Sequence, residues 1–318
     1  MAAGGRPTNR LVGAPIRPIL VPLALGAMRA GVEQGAAALE TALRARLAAH
    51  QRPELLARLR PAETVPCPAL AQDAGRTAPG AALHVDEIAA ASAALAGRVR
   101  EAIDAGELAV TLGGDHAVAI GTVAGAAAAG GRLAVLWIDA HADLNAPATS
   151  PSGHVHGMPL AVALGRGAEQ LTILCGTAPK LRPEDTYLLG VRDLDPAERD
   201  WLHAGRIHAA TMADVDASGL EPALYGMLER MRRSGVDAVH VSFDLDVLDP
   251  LVLPGTGTRV WGGLTFREAA RLLRLLRAAD LPVRSLDWVE LNPALDPSGA
   301  STEVAAALLA VALGEDPL

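Results

Sequence analysis

The chain has 318 residues, half of them hydrophobic and 20% charged, which allows a large core and excludes a disordered chain. The formal net charge of −8, with no dense Lys/Arg tract, argues against nucleic acid as a partner. No apolar run reaches the ~20 residues of a membrane span, and the N-terminus lacks the apolar stretch of a secretory signal.

In chain order, residues 1–15 read as a flexible tail and 16–318 as one domain, since no Pro/Gly/Ser linker divides the rest. Short Leu- and Val-rich runs predict strands over 18–22, 108–112, 133–139, 186–191, 238–244 and 283–291. Between them, helical periodicity predicts helices over 31–48, 85–105, 118–129, 196–204, 221–234, 265–279 and 302–313. Continuous apolar strands alternating with helices indicate a three-layer α/β/α domain with a mostly parallel central sheet. The frequent arginines, among them Arg44, Arg46, Arg58, Arg60, Arg271, Arg274 and Arg277, read as solvated helix faces. Cys67 and Cys175 fit no metal or redox spacing and read as reduced thiols of a cytoplasmic protein.

In such sheets ligands bind outside the carboxyl ends of the strands, and three strands here end in metal-competent side chains. One runs into Gly113-Gly114-Asp115-His116, one into Asp139-Ala140-His141-Ala142-Asp143, and one into Asp244-Leu245-Asp246. On an extended backbone, residues at i, i+2 and i+4 project to one side, and the intervening alanines leave room. Alone, an Asp-x-His is usually a surface turn and an Asp-x-Asp a cap or loop. Three such motifs at apolar strand ends favour a metal centre instead. Four carboxylates in one place need counter-charge, which two divalent ions supply. Oxygen ligands with a little imidazole and no thiolate favour Mn²⁺ or Mg²⁺ over structural zinc.

At these residues the sequence resembles the arginase–agmatinase (ureohydrolase) family. The resemblance rests on Gly113–His116, Trp137–Asp143 and Ser242–Pro250, and runs from about Leu20 to near the C-terminus. It implies a binuclear manganese site, two Mn²⁺ per chain, that hydrolyses a guanidino group to release urea. Its ligands would be His116, Asp139, His141, Asp143, Asp244 and Asp246, with the aspartates shared between or bridging the ions. It further implies Glu290 beside the guanidinium, Asp143 hydrogen-bonded to the attacking water, and His156 as proton shuttle to the leaving amine. Taken by itself, His156 could equally be a loop histidine packed under the site.

The segment 145–153 resembles that of arginases and places Asn145, Ser150 and Ser152 at an amino-acid carboxylate. Asp195 corresponds to the residue that recognises the α-amino group, and Thr265 lies in a further matching segment counted with the substrate residues. His154 stands where arginases usually carry Asn, Ala117 where they carry Ser, and Arg259 where they carry Pro. The expected substrate is therefore L-arginine, with another guanidino compound, such as agmatine or 4-guanidinobutyrate, as the alternative. A silent metal-stabilised binding protein and a zinc deacetylase on a related fold fit the full ligand set less well. The resemblance also suggests a homotrimer or homohexamer. His50, His84, His203, His208 and His240 have no motif around them and read as structural or surface residues.

Overall fold

A computed structural model describes residues 8–69, 80–204 and 207–316. Along the chain run β1 (Ile16–Val21), α1 (Gly35–Ala49), α2 (Pro53–Arg58), β2 (Glu63–Thr64), α3 (Val85–Asp104) and β3 (Leu108–Gly113). Next come α4 (Val118–Ala128), β4 (Leu133–Ile138), α5 (Pro159–Ala163), α6 (Glu169–Thr172), β5 (Thr186–Val191) and α7 (Pro196–Ala204). The chain continues with β6 (His208–Thr211), α8 (Met212–Ser218), α9 (Leu220–Ser234), β7 (Ala238–Asp244), α10 (Phe266–Ala278), β8 (Val283–Val289) and α11 (Ala300–Leu313).

The eight strands form one sheet in the order β2-β1-β3-β8-β7-β4-β5-β6, and every pairing is parallel. Strands β3, β4, β5 and β7 are buried along their whole length, as parallel strands covered on both faces must be. One face packs on α1, α9, α10 and α11 through Leu39, Leu224, Leu272 and Leu309; the other packs on α3, α4 and α5 through Leu95, Val123 and Leu160.

Helix patterning decides the layers. In α3, Ile88, Ala91, Leu95, Val99 and Ala102 recur at three- and four-residue steps and are buried, so one stripe faces the sheet. Helix α10 starts with a capping box in which Thr265 accepts from the Glu268 backbone while the Glu268 side chain accepts from Thr265.

Two expectations need correction. Residues 1–7 lie outside the described residues, but 8–15 are tied down rather than a tail. Leu11 is buried, the Asn9 amide donates to three carbonyls at the end of α10, and Arg10 donates to the Ile103 and Glu107 carbonyls. Not every arginine is a solvated face either. Arg58 donates to the Ala14 and Leu313 carbonyls, and Arg46 pairs with buried Glu315 at 2.6 Å, so these cations fasten the N-terminal segment and α1 to the C-terminal helix. Among the described residues, no helix is long and apolar enough to cross a membrane, and Cys67 and Cys175 are free.

Candidate metal centre

The four central strands, β3-β8-β7-β4, are neighbours in the sheet, and their carboxyl ends deliver the polar residues to one spot. His116 follows β3, Glu290 follows β8, Asp244 and Asp246 close β7, and Asp139, His141 and Asp143 follow β4. Gly114 makes the β3 end possible: a Cβ there would lie 1.8 Å from the Leu23 carbonyl oxygen.

The convergence is not the extended projection expected from i, i+2, i+4 spacing. Strand β4 stops at Ile138, and Asp143 has φ +52°. The turn is closed by the His141 amide donating to Asp139 Oδ1 at 2.7 Å. Likewise the Asp246 amide donates to Asp244 Oδ1 at 2.8 Å, wrapping a 3-10 turn. The carboxylates therefore fold their own loops while their free oxygens point to the centre.

Two groups of side chains sit close enough to share an ion each: His116, Asp139 and Asp244, and Asp139, His141 and Asp246. Asp139 belongs to both. His116 Nδ1 lies 3.2 Å from Asp139 Oδ2 and 3.0 Å from both Asp143 Oδ2 and Asp244 Oδ2. His141 Nδ1 is 3.0 Å from Asp246 Oδ2. The four aspartates are at most 5% exposed. Burial, followed by repulsion from Asp139, pushes Asp143 up to about 6. Burial also drives Asp244 well above the carboxylate range, with Asp246 and Asp139 adding to it. His116 Nδ1 and Asp143 Oδ2 are buried without a hydrogen-bond partner, which is what groups reserved for a cation look like. The donor set of oxygens and imidazoles, without thiolate, fits divalent ions of the manganese or magnesium kind.

A buried relay fixes the tautomer of His116. Ser242 Oγ donates to Asp287 Oδ1 at 2.6 Å, so it must accept from His116 Nε2–H at 2.7 Å. That leaves the Nδ1 lone pair facing the centre. His240, read from sequence as an ordinary histidine, extends the chain through Nε2 to Asp287 Oδ2 at 2.9 Å and through Nδ1 to Ser285. Trp137 stacks on His116 with 4.3 Å between ring centroids and donates to Asp139 Oδ2. Loss of such supporting hydrogen bonds usually weakens metal affinity by about 10–100-fold. Ser242→Ala is expected to do so at the His116 position, as read by manganese titration of the metal-free protein.

Above the metal groups lies a cavity of about 120 Å³ lined by His116, His141, Asp143, Asn145, Ser150, Ser152, His154, His156, Asp195, Asp244, Asp246 and others. Eleven of the sequence candidates thus meet in one chamber. Asp139 and Glu290 stand behind its wall. Glu290, at φ +66°, accepts from the His116 amide at 2.9 Å and lies 3.2 Å from His156 Nδ1. Burial opposes a charge on His156, but the bond to Glu290 and the negative charges of Glu290, Asp115 and Asp143 together outweigh it and raise His156 to about 9. Thr265 does not line the chamber; its hydroxyl is committed to the cap of α10, which corrects its expected place with the substrate residues.

Sequence reading missed Glu198 and Thr258, which also line the chamber. Glu198 accepts from the Leu144 and Asp195 amides, and burial raises it to about 7. Thr258 Oγ1 donates to Asp246 Oδ2 at 2.7 Å. Glu198 lies three residues past Asp195, a capping spacing that could have flagged it; Thr258 carried no signal.

Residues 14–314 match the arginase family model. The chain is 42% identical over 232 residues to the arginase of Bacillus caldovelox, covering 73% of this chain and 77% of that one. It is 40% identical to the arginase of Staphylococcus aureus, with 73% and 76% covered. The solved native arginase of Bacillus caldovelox superposes with a TM-score of 0.88 at 37% identity, over 96% of this chain and all of that one. With the family match spanning nearly its full length, the chain belongs to the arginase family.

Proposed function

We propose that the protein is a manganese-dependent amidinohydrolase with two Mn²⁺ per chain that converts L-arginine and water to L-ornithine and urea. The observation that carries this reading is the pair of metal groups joined through Asp139 at the floor of a chamber, in a chain about 40% identical to proteins named arginase. His116, Asp139, Asp143 and Asp244 would hold one ion, and Asp139, His141 and Asp246 the other. A divalent pair supplies Lewis-acid activation of the attacking water.

The chain's own groups do the rest. Asp143 accepts a hydrogen bond from that water and so aims it. Glu290 fixes the chamber wall by bonding the His116 amide and His156, and supplies negative charge for a planar guanidinium. The C–N bond to the side-chain nitrogen breaks, and that nitrogen leaves only as a protonated amine. His156, on the chamber wall beside Glu290, is the group suited to give the proton. At the outer end, Asn145, Ser150, Ser152 and Asp195 offer partners for the α-carboxylate and α-ammonium.

His156→Ala is expected to lower kcat by roughly 10²-fold or more while two ions remain bound. His154→Asn should chiefly change KM. An unchanged kcat in His156→Ala would remove it from proton transfer. A related guanidino substrate is the second reading, favoured by His154, whose Nδ1 is buried without a partner at the chamber. Urea release from the manganese-loaded protein over a panel of guanidino compounds decides between the two. The two free cysteines fit a reducing, cytoplasmic setting, and a homotrimer or homohexamer is the proposed assembly, measurable by light scattering.

A further inference from the structure

We propose that Arg192 is a positioning residue for only one of the two metal positions, the one between Asp139, His141 and Asp246. Its backbone amide holds Ala140, the residue between Asp139 and His141, and its guanidinium holds the turn of Asp246. This rests on the reading of the cluster as a two-ion site, and it assigns the two positions separate supports.

Arg192 sits just past the end of β5, beside β4 in the sheet. Its backbone amide donates to the Ala140 carbonyl at 2.8 Å, the peptide between Asp139 and His141. Its guanidinium faces the other way and spends its donors on carbonyls. Nη2 reaches Asp246 at 2.7 Å, Val260 at 2.9 Å and Leu248 at 3.3 Å. Nη1 reaches Val247 at 3.2 Å and Gly190 at 3.3 Å, and Nε reaches Trp261 at 3.2 Å. One planar fork thus joins the Asp246 turn to the loop carrying Thr258, whose hydroxyl holds Asp246 Oδ2. The two gripped segments are locked a second time by Asp249, which accepts from the Gly262 and Gly263 amides. Gly263 leaves the room: a Cβ there would come within 2.6 Å of Arg192 Nη2.

The hydrogen bonds of Arg192 itself go neither to His116 nor to Asp244. His116 is held from the other side, by the Ser242–Asp287–His240 relay. Six carbonyl acceptors spread over three segments suit a rigid five-donor fork and cannot all be served by a lysine. Arg192 is therefore a geometric device rather than a source of charge, and its loss displaces Asp246 while leaving the His116 side in place.

The test is manganese titration of metal-free wild type, Arg192→Lys, Arg192→Gln and Ser242→Ala, with the electron paramagnetic resonance spectrum recorded at each step and the melting temperature of each metal-free chain. Both Arg192 variants are expected to bind the first ion with wild-type affinity and the second roughly 10–100-fold more weakly, so a mononuclear spectrum replaces the exchange-coupled one at limiting manganese. Thr258→Val, which keeps Arg192, should weaken the same ion. Ser242→Ala should instead weaken the other. Full recovery in Arg192→Lys would overturn the fork argument. Equal loss of both ions, or of neither, would overturn the assignment to one position. A wild type that never binds more than one ion would overturn the two-ion reading itself. If Arg192→Gln fails to fold, Arg192→Lys and Thr258→Val carry the test.

Discussion

Asp139→Asn is expected to abolish binding at both metal positions, whereas Asp246→Asn should empty only one. Asp139 is the single side chain common to the two groups, and its oxygens are already oriented by Trp137 Nε1 and the His141 amide. An amide keeps one acceptor oxygen and so retains only one of these two bonds, and being neutral it cannot serve two cations. Removing an activating metal pair forfeits several kcal/mol of transition-state stabilisation, so kcat/KM should fall roughly 10³-fold or more. The ions also stabilise the folded chain by mass action, by about 2.7 kcal/mol at a hundred times the dissociation constant. Wild type should therefore melt at rising temperature as manganese is added, and Asp139→Asn should not respond. An Asp139→Asn protein carrying two ions would refute its bridging place.

Much of this site is legible in the sequence because an apolar strand followed at once by His or Asp is a conspicuous break in pattern. The runs before His116, Asp139 and Asp244 all became central strands, and the ligand-bearing ends fell together as parallel topology requires. The edge strands β2 and β6 were not legible. Two and four residues long, they have too few positions for any periodicity. The expected strand over 283–291 stops at Val289, because Glu290 at φ +66° cannot continue an extended ladder. The reading also placed the ligands on extended backbone, whereas Asp143 turns through φ +52°. Spacing shows which residues meet, and the side-chain bonds that fold the turn decide how. Supports such as Ser242–Asp287 and Arg192 were invisible for a different reason. Most of their partners lie 45 to 126 residues away, and no local pattern encodes that distance.

Asp195→Ala is expected to lower kcat/KM for L-arginine by roughly tenfold or more while agmatine is affected far less. Both compounds present the same guanidino end to the metal groups, so selectivity has to arise at the outer end of the chamber. There Asp195 Oδ2 accepts from Asn145 Nδ2 at 2.7 Å, with Ser150 and Ser152 on the same wall. The bland alternative is that Asp195 only caps α7. The cap, however, is made by Glu198 accepting from the Asp195 amide at 3.0 Å, while the Asp195 carboxylate is turned to Asn145. Its second oxygen is thus suited to an ammonium, and charge-assisted bonds of that kind contribute about 1.5–3 kcal/mol each. A capping loss would instead cost about 1 kcal/mol of stability and leave selectivity alone. The measurement is kcat/KM for arginine, agmatine and 4-guanidinobutyrate in both forms, with melting temperature and manganese content alongside. Equal loss for arginine and agmatine would show that Asp195 shapes the chamber without reading the α-amino group. A wild type that prefers agmatine or guanidinobutyrate would replace arginine by the second reading and leave the metal centre untouched.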